Sequence, residues 1–198
     1  MRLVLASQSS GRRKILANAG ILHDVMTAHC DEEAEKQALR AGGADARMLA
    51  LGLAEAKALG TSLARPGALI LGCDQTLALE DGTMFDKARS MDELADHLRQ
   101  LSGRTHSLFA AMSIARDGEI IWRDIEEARM TMRPLSDSFI ADYLAAEGED
   151  LLSGVGGYRI EGRGIQLFER IEGSHFTIIG LPLLPLLAFL RTAGVIAG

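Results

Sequence analysis

Asp74 closes the apolar run Ala68 to Cys73. A carboxylate at the end of a buried strand is where α/β proteins place reactive groups. There it could bind a divalent ion or activate water; the alternative is an aspartate that opens a turn. Lys87, a short hairpin further on, could neutralise phosphate charge. A second group is Ser7-Gln8-Ser9-Ser10-Gly11-Arg12-Arg13, which follows the apolar run Leu3 to Ala6. A helix starting here offers free N–H groups and partial positive charge, and the hydroxyls and guanidinium groups add donors. Together they make a phosphate cradle, or else a capped helix with solvated arginines. Adjacent helical residues do not share a face, so one arginine could bind phosphate while the other pairs elsewhere.

A third group is Gly156-Gly157-Tyr158-Arg159-Ile160-Glu161-Gly162-Arg163-Gly164. Its glycines permit close backbone approach to a ligand, with Glu161 as a possible ligand carboxylate, or they mark a flexible surface loop. Asp31-Glu32-Glu33 could add a second metal carboxylate or simply an acidic first turn. The five histidines show no metal-ligand spacing. The Gly-Lys-Ser of the common P-loop, the nucleophile elbow and the dinucleotide fingerprint are all missing from the sequence.

The elements that must position these groups follow from periodicity and breakers. Leu3 to Ala6 reads as a central strand, Arg12 to Ala19 as a helix closed by Gly20, and His23 to Ala28 as a second strand. Glu33 to Arg40 and Ala46 to Leu59 are rich in helix formers. Ala68 to Cys73 continues toward a hairpin at Asp81-Gly82, and a second Asp-Gly pair at 117–118 separates His106 to Ala115 from Glu119 to Met132. Ser90 with Glu93 makes a capping box for a helix to Leu101, and Ser136 to Ala146 is a further helix. Ile178 to Leu190 reads as a strand end, a turn and a buried helix. Interleaved helices and strands with hairpins predict an α/β fold with a mixed sheet in a single domain over residues 1–198.

Composition sets bounds. The chain has 198 residues, 47% hydrophobic and 24% charged, with a net charge of -6. Such an acidic surface disfavours nucleic acid as a partner, so cations that bind phosphate must be gathered locally. Two cysteines without ligand spacing suit a reducing compartment. The first apolar run is too short for a signal peptide and no stretch is long enough for a membrane helix, which predicts a cytoplasmic protein.

In order along the chain, these motifs resemble the Maf family of nucleotide pyrophosphatases. The resemblance rests on Leu5-Ala6-Ser7 with Arg12-Arg13, Asp31-Glu32, Lys57 within Leu53 to Ala58, Gly72 to Thr76, and Lys87. It continues with Leu101 to Arg104 plus His106, Gly157 to Gly162, and Gly180 to Leu183. It implies an elongated mixed sheet with flanking helices and a cleft between two lobes, like the inosine-triphosphate pyrophosphatases. It implies a divalent metal cation, Mg2+ or Mn2+, a nucleoside triphosphate substrate and often a homodimer. Ser7, Arg12 and Arg13 would hold the triphosphate, and Lys57 and Lys87 would offset charge on leaving pyrophosphate. Asp74 would be metal ligand, general base or both, and Glu32 would complete the acidic cluster.

Departures from the family pattern are Ser10-Gly11 for Ser-Pro and Asp86-Lys87-Ala88 for Gly-Lys-Pro; both lack a stiff proline. Gln75 and Glu161 match the subgroup that cleaves 7-methyl-GTP. A carboxylate accepts the donors on guanine's pairing edge and suits the positive charge of the methylated ring. The alternatives are a dTTP or UTP pyrophosphatase, and a nucleotide-binding regulator of cell division with little catalysis.

Overall fold

The computed structural model describes residues 2–198. All four residues of β1 (Leu3–Ala6) are buried, as a continuous apolar run covered on both faces requires. β1 pairs in parallel with β2 (His23–Met26) on one side and β3 (Leu69–Leu79) on the other. The strand order is β2-β1-β3-β5-β6-β7, where β5 is Thr105–Arg116, β6 is Glu119–Met132 and β7 is Phe168–Glu172; β4 (Met84–Phe85) pairs with β3. β3 and β4 are antiparallel, as are β6 and β7. The mixed α/β sheet expected from the two Asp-Gly turns is therefore present, and Asp117 with φ 52° and Gly118 with φ 87° make the β5–β6 turn.

The chain divides into two compact units. The first comprises residues up to Gln75, Phe109–Glu126 and Ser174–Gly198. Here α1 (Ser10–Asn18) and α7 (Leu183–Thr192) cover one face of the strands, with Leu3, Leu5, Leu69, Leu71 and Cys73 packed against Leu16, Leu186 and Leu190. The alternate residues Val4, Ala6 and Ile70 point the other way, the period of two that a strand imposes. On that side lies α3 (Ala46–Ser62), preceded by α2 (Glu32–Ala41). Gly72 belongs to the same alternation. A Cβ there would lie 2.2 Å from the Ala54 carbonyl and 2.6 Å from the Ala58 amide of α3, so only glycine lets helix and strand approach this closely.

The second unit comprises Thr76–Leu108 and Glu127–Gly173. It holds α4 (Met91–Leu101), capped by Ser90, and α5 (Asp137–Glu147), capped by Ser136. Two short 3-10 turns, Glu149–Ser153 and Arg163–Leu167, flank the glycine-rich segment.

One expectation fails. Ile178 is not a strand end: His175–Ile179 is a short helix, α6. The β-branched run Thr177-Ile178-Ile179 favours a strand by propensity. Ser174, which caps the Phe176 amide, and Gly180, left-handed at φ 99°, close a helical turn around it. Among the described residues, no helix is long and apolar enough to cross a membrane.

Candidate active site

The alternation along β3 that turns Ile70 and Gly72 toward α3 also turns Asp74 that way. On α3, Lys57 follows Ala54 by three residues and so shares its face. The two side chains meet: Lys57 Nζ donates to Asp74 Oδ1 at 2.5 Å, and the same ammonium lies 2.9 Å from Glu32 Oε2 in the first turn of α2. Lys57 and Asp74 are each only 8% exposed, whereas Glu32 is exposed. Asp31 takes no part in this cluster. It is the N-cap of α2, its Oδ1 accepting from the Ala34 amide at 3.0 Å.

Burial works against the charge on Lys57, but Asp74 and then Glu32 outweigh it and hold the ammonium above its ordinary pKa. Burial is also the largest influence on Asp74. It pushes the carboxyl up against the opposing pull of Lys57 and Arg12. With a 2.5 Å contact in so little water, each charge is the other's main compensation. Asp74 Oδ2 makes no hydrogen bond among the described residues, so one oxygen of a destabilised carboxylate remains available as an acceptor.

Arg12 is held from three directions. Its Nε donates to the Gly180 carbonyl at 2.9 Å, and its Nη1 donates to the Cys73 carbonyl at 2.9 Å and to Ser7 Oγ at 3.2 Å. A planar guanidinium satisfies all three at once, and Nη2 keeps its hydrogens uncommitted to these groups. Ser7 also accepts from the Ser9 amide, and Ser9 caps α1. Arg13, its neighbour, is exposed, with no side-chain bond among the described residues. The sequence left open which arginine is tied to the protein; it is Arg12, and it is tied to backbone carbonyls rather than to an acid.

Gln75 is expected to contact substrate. Its amide nitrogen donates to the Thr177 and Ile178 carbonyls at 2.9 and 3.0 Å, which fastens the end of α6. Thr177, fully buried, donates its hydroxyl to Glu126 at 2.5 Å. Gly11 explains the missing proline of the cradle: a Cβ there would lie 2.9 Å from Ile179 Cγ2, so glycine lets α6 pack on α1.

Lys87 and Glu161 belong to the second unit, where both are exposed. Lys87 follows β4. Glu161 sits in a tight turn in which the Gly162 amide donates to the Arg159 carbonyl at 3.1 Å.

The first unit thus joins a basic cradle, a buried acid and a lysine between two carboxylates; Asp74 does not end its strand as expected but sits midway along β3, which runs on to Leu79. The family model for Maf-like proteins matches residues 2–193. The chain belongs to the Maf family. It is 51% identical over 195 residues to the nucleoside triphosphate pyrophosphatase of Sphingopyxis alaskensis, covering 98% of each chain. It is 52% identical over 195 residues to the 7-methyl-GTP pyrophosphatase of Rhizobium meliloti, covering 98% of this chain and 97% of that one. Among solved structures it is similar to a HAM1 protein from Coxiella burnetii, with a TM-score of 0.44 and 14% identity over 67% of this chain and 73% of that one.

This Maf chain offers oxygen donors of the kind Mg2+ or Mn2+ accepts, since Asp74 and Glu32 already converge on one small cation, the Lys57 ammonium. Among the described residues no group of three or more His, Cys, Asp or Glu side chains could hold a metal ion. A metal here would therefore take its remaining ligands from phosphate and water, as Mg2+ commonly does. The sequence did not single out Thr177, Glu126 or the Gly180 carbonyl. Gly180 entered only as part of the Gly180 to Leu183 motif of the family resemblance.

Proposed function

We propose that this protein hydrolyses a nucleoside triphosphate to the monophosphate and pyrophosphate, with 7-methyl-GTP as the favoured substrate. The observation that carries the reading is the Lys57 ammonium bound to both Asp74 and Glu32 beside the Arg12 cradle. The names of the relatives support the reaction class and the methylated substrate. The triphosphate is anchored by Ser7, Arg12 Nη2 and the exposed Arg13, with Lys87 as a further cation. Water attacks the α-phosphorus, the bond from the α-phosphorus to the bridging oxygen breaks, and pyrophosphate leaves with that oxygen. Asp74 Oδ2 takes the water proton. Burial favours its protonated form, which makes it a better base than an exposed carboxylate. Lys57 holds Asp74 in place and offsets charge gathering on phosphate oxygens. Asp74 and Glu32 would hold a divalent cation, which supplies charge neutralisation of the polyphosphate. Glu161 reads the base: its carboxylate accepts from the N–H donors of guanine and suits the cationic methylated ring. The family resemblance supports a homodimer.

The test is a panel of triphosphates incubated with Mg2+ or Mn2+, with pyrophosphate release measured. The expected result is highest kcat/KM for 7-methyl-GTP, loss of activity with a chelator, and recovery on adding metal back. Preference for UTP would remove the reading of Glu161. Tight binding of one nucleotide without release from any would favour a regulator over an enzyme.

A further inference from the structure

His106 and Tyr158 belong to the second unit. His106 lies on β5, fully buried, with Nε2 2.6 Å from the Tyr158 hydroxyl. Its Nδ1 is buried without a hydrogen-bond partner among the described residues. Burial pushes the imidazole down to about 4, so the ring is neutral at pH 7 and carries one proton. If the phenol donates to Nε2, only the Nδ1–H is unmet. The other tautomer would leave both the Nδ1 lone pair and the phenol proton without partners, so the phenol is the donor. Phe168 packs edge-on against Tyr158 with ring centroids 4.8 Å apart and closes the cluster.

Tyr158 leads directly into the Arg159–Gly162 turn, whose third residue is Glu161. The segment before the turn is held by Tyr143, whose hydroxyl donates to the Gly157 carbonyl at 3.1 Å. Gly156 lies under the Tyr158 ring, where a Cβ would come within 2.3 Å; Gly164 lies against the Arg159 backbone, where a Cβ would come within 2.5 Å of its carbonyl oxygen. The glycines expected to give either a flexible loop or close backbone approach therefore give close approach to their own chain. Glu161 itself is exposed and makes no side-chain bond among the described residues, so its place is set by the packing beneath it. A buried nitrogen without a partner carries an uncompensated desolvation cost. An apolar pair of similar volume would avoid that cost, so its presence asks for a reason beyond stability.

We propose that the His106–Tyr158 hydrogen bond is a positioning device for base selection: it fixes the Arg159–Gly162 turn so that Glu161 presents its carboxylate to the nucleobase in one orientation. His106 and Tyr158 are positioning residues that act through Glu161, and the inference rests on the reading of Glu161 given above.

The experiment uses the full chain with Tyr158→Phe, which removes one oxygen and keeps the ring, and Glu161→Gln, alone and combined. The measured quantities are kcat and KM for 7-methyl-GTP, GTP and UTP, together with amide hydrogen exchange of residues 159–164. The expected result for Tyr158→Phe is a fall of about tenfold in kcat/KM for 7-methyl-GTP, carried by KM, with UTP changed less than about threefold. Glu161→Gln lowers the same ratio, and the double variant falls no further, since residues acting as one unit are non-additive. Exchange at 159–164 rises in Tyr158→Phe while the rest of the chain is unchanged. An equal loss on all three substrates, or unchanged exchange, overturns the positioning role. If exchange rises but Glu161→Gln leaves the substrate ratio unchanged, base selection by Glu161 is what falls and the clamp on the turn stands.

Discussion

Lys57 Nζ lies 2.5 Å from Asp74 Oδ1, and it reaches that carboxylate because Gly72, two residues earlier on the strand, lets α3 sit directly on β3. The helix residues that a Gly72 Cβ would strike, Ala54 and Ala58, bracket Lys57. Catalytic geometry and helix–strand packing are thus set by the same few residues.

Removing the lysine exposes both roles. Lys57→Met keeps the stem and deletes the charge, leaving Asp74 buried without its main compensation. Breaking a buried ion pair from one side costs roughly 3–5 kcal/mol. Denaturant unfolding should show a loss of that size, and pyrophosphate release should fall by at least about 10². Retention of both stability and turnover would mean that the pair is incidental.

Gly72→Ala should be disruptive out of proportion to its size. Its Cβ would overlap α3 backbone atoms, which cannot move without moving the helix. Overpacking costs about 1–3 kcal/mol and more when backbone must shift; about 3 kcal/mol or more is expected here, with activity lost in parallel. Gly20→Ala is the control. A Cβ there meets open space, and only its φ of 71° is unfavourable, so the loss should be about 1 kcal/mol with activity kept. Equal melting temperatures for the two variants would refute the packing argument.

Arg12→Lys should not behave as a conservative change. An ammonium cannot serve the Gly180 carbonyl, the Cys73 carbonyl and Ser7 together in the planar fork that Arg12 uses. Steady-state kinetics should show kcat/KM down by at least about tenfold, and stability should drop by about 1–3 kcal/mol as carbonyls lose their donor. Arg13→Lys, at an exposed site, should leave stability unchanged. A fully active and stable Arg12→Lys would show that only its charge matters.

His106 makes acid stability predictable. The ring is held neutral by burial, with its folded pKa depressed to about 4 from 6.5. The unfolded chain binds more protons between those values, so stability is undiminished above pH 6.5 and lost as pH falls toward 4. The integrated loss is on the order of 3 kcal/mol. The stability difference between wild type and His106→Leu should therefore shrink or reverse across this window and stay constant above it. A difference independent of pH from 7 down to 4 would contradict the burial account.

Much of this was legible in the sequence for identifiable reasons. β1 and the start of β3 stood out because strands buried on both faces must be continuously apolar, and the Ser90–Glu93 capping box announced α4. Asp74 was visible as a polar residue ending such a run. Its partner on α3 was not, because Lys57 lies 17 residues earlier and only the family resemblance singled it out. α6 was hidden because three β-branched residues outweighed the cap signals around them. The role of Gln75 was hidden for a related reason: its amide bonds to backbone carbonyls more than 100 residues away, and backbone acceptors leave no trace in side-chain types. The Gly156–Gly164 segment stood out by its glycines, but whether they serve a ligand, a flexible loop or the chain itself depends on where the Tyr158 ring lies.

The measurement that tests the central claim most directly compares wild type with Asp74→Asn for release of pyrophosphate and nucleoside monophosphate from a triphosphate in the presence of Mg2+. Wild type should release the two products in equal amounts. Asp74→Asn, which keeps the shape of the side chain and removes its charge, should turn over at least about 10² more slowly while remaining folded by circular dichroism. Undiminished turnover in a folded Asp74→Asn, or release of single phosphates in place of pyrophosphate, would contradict it.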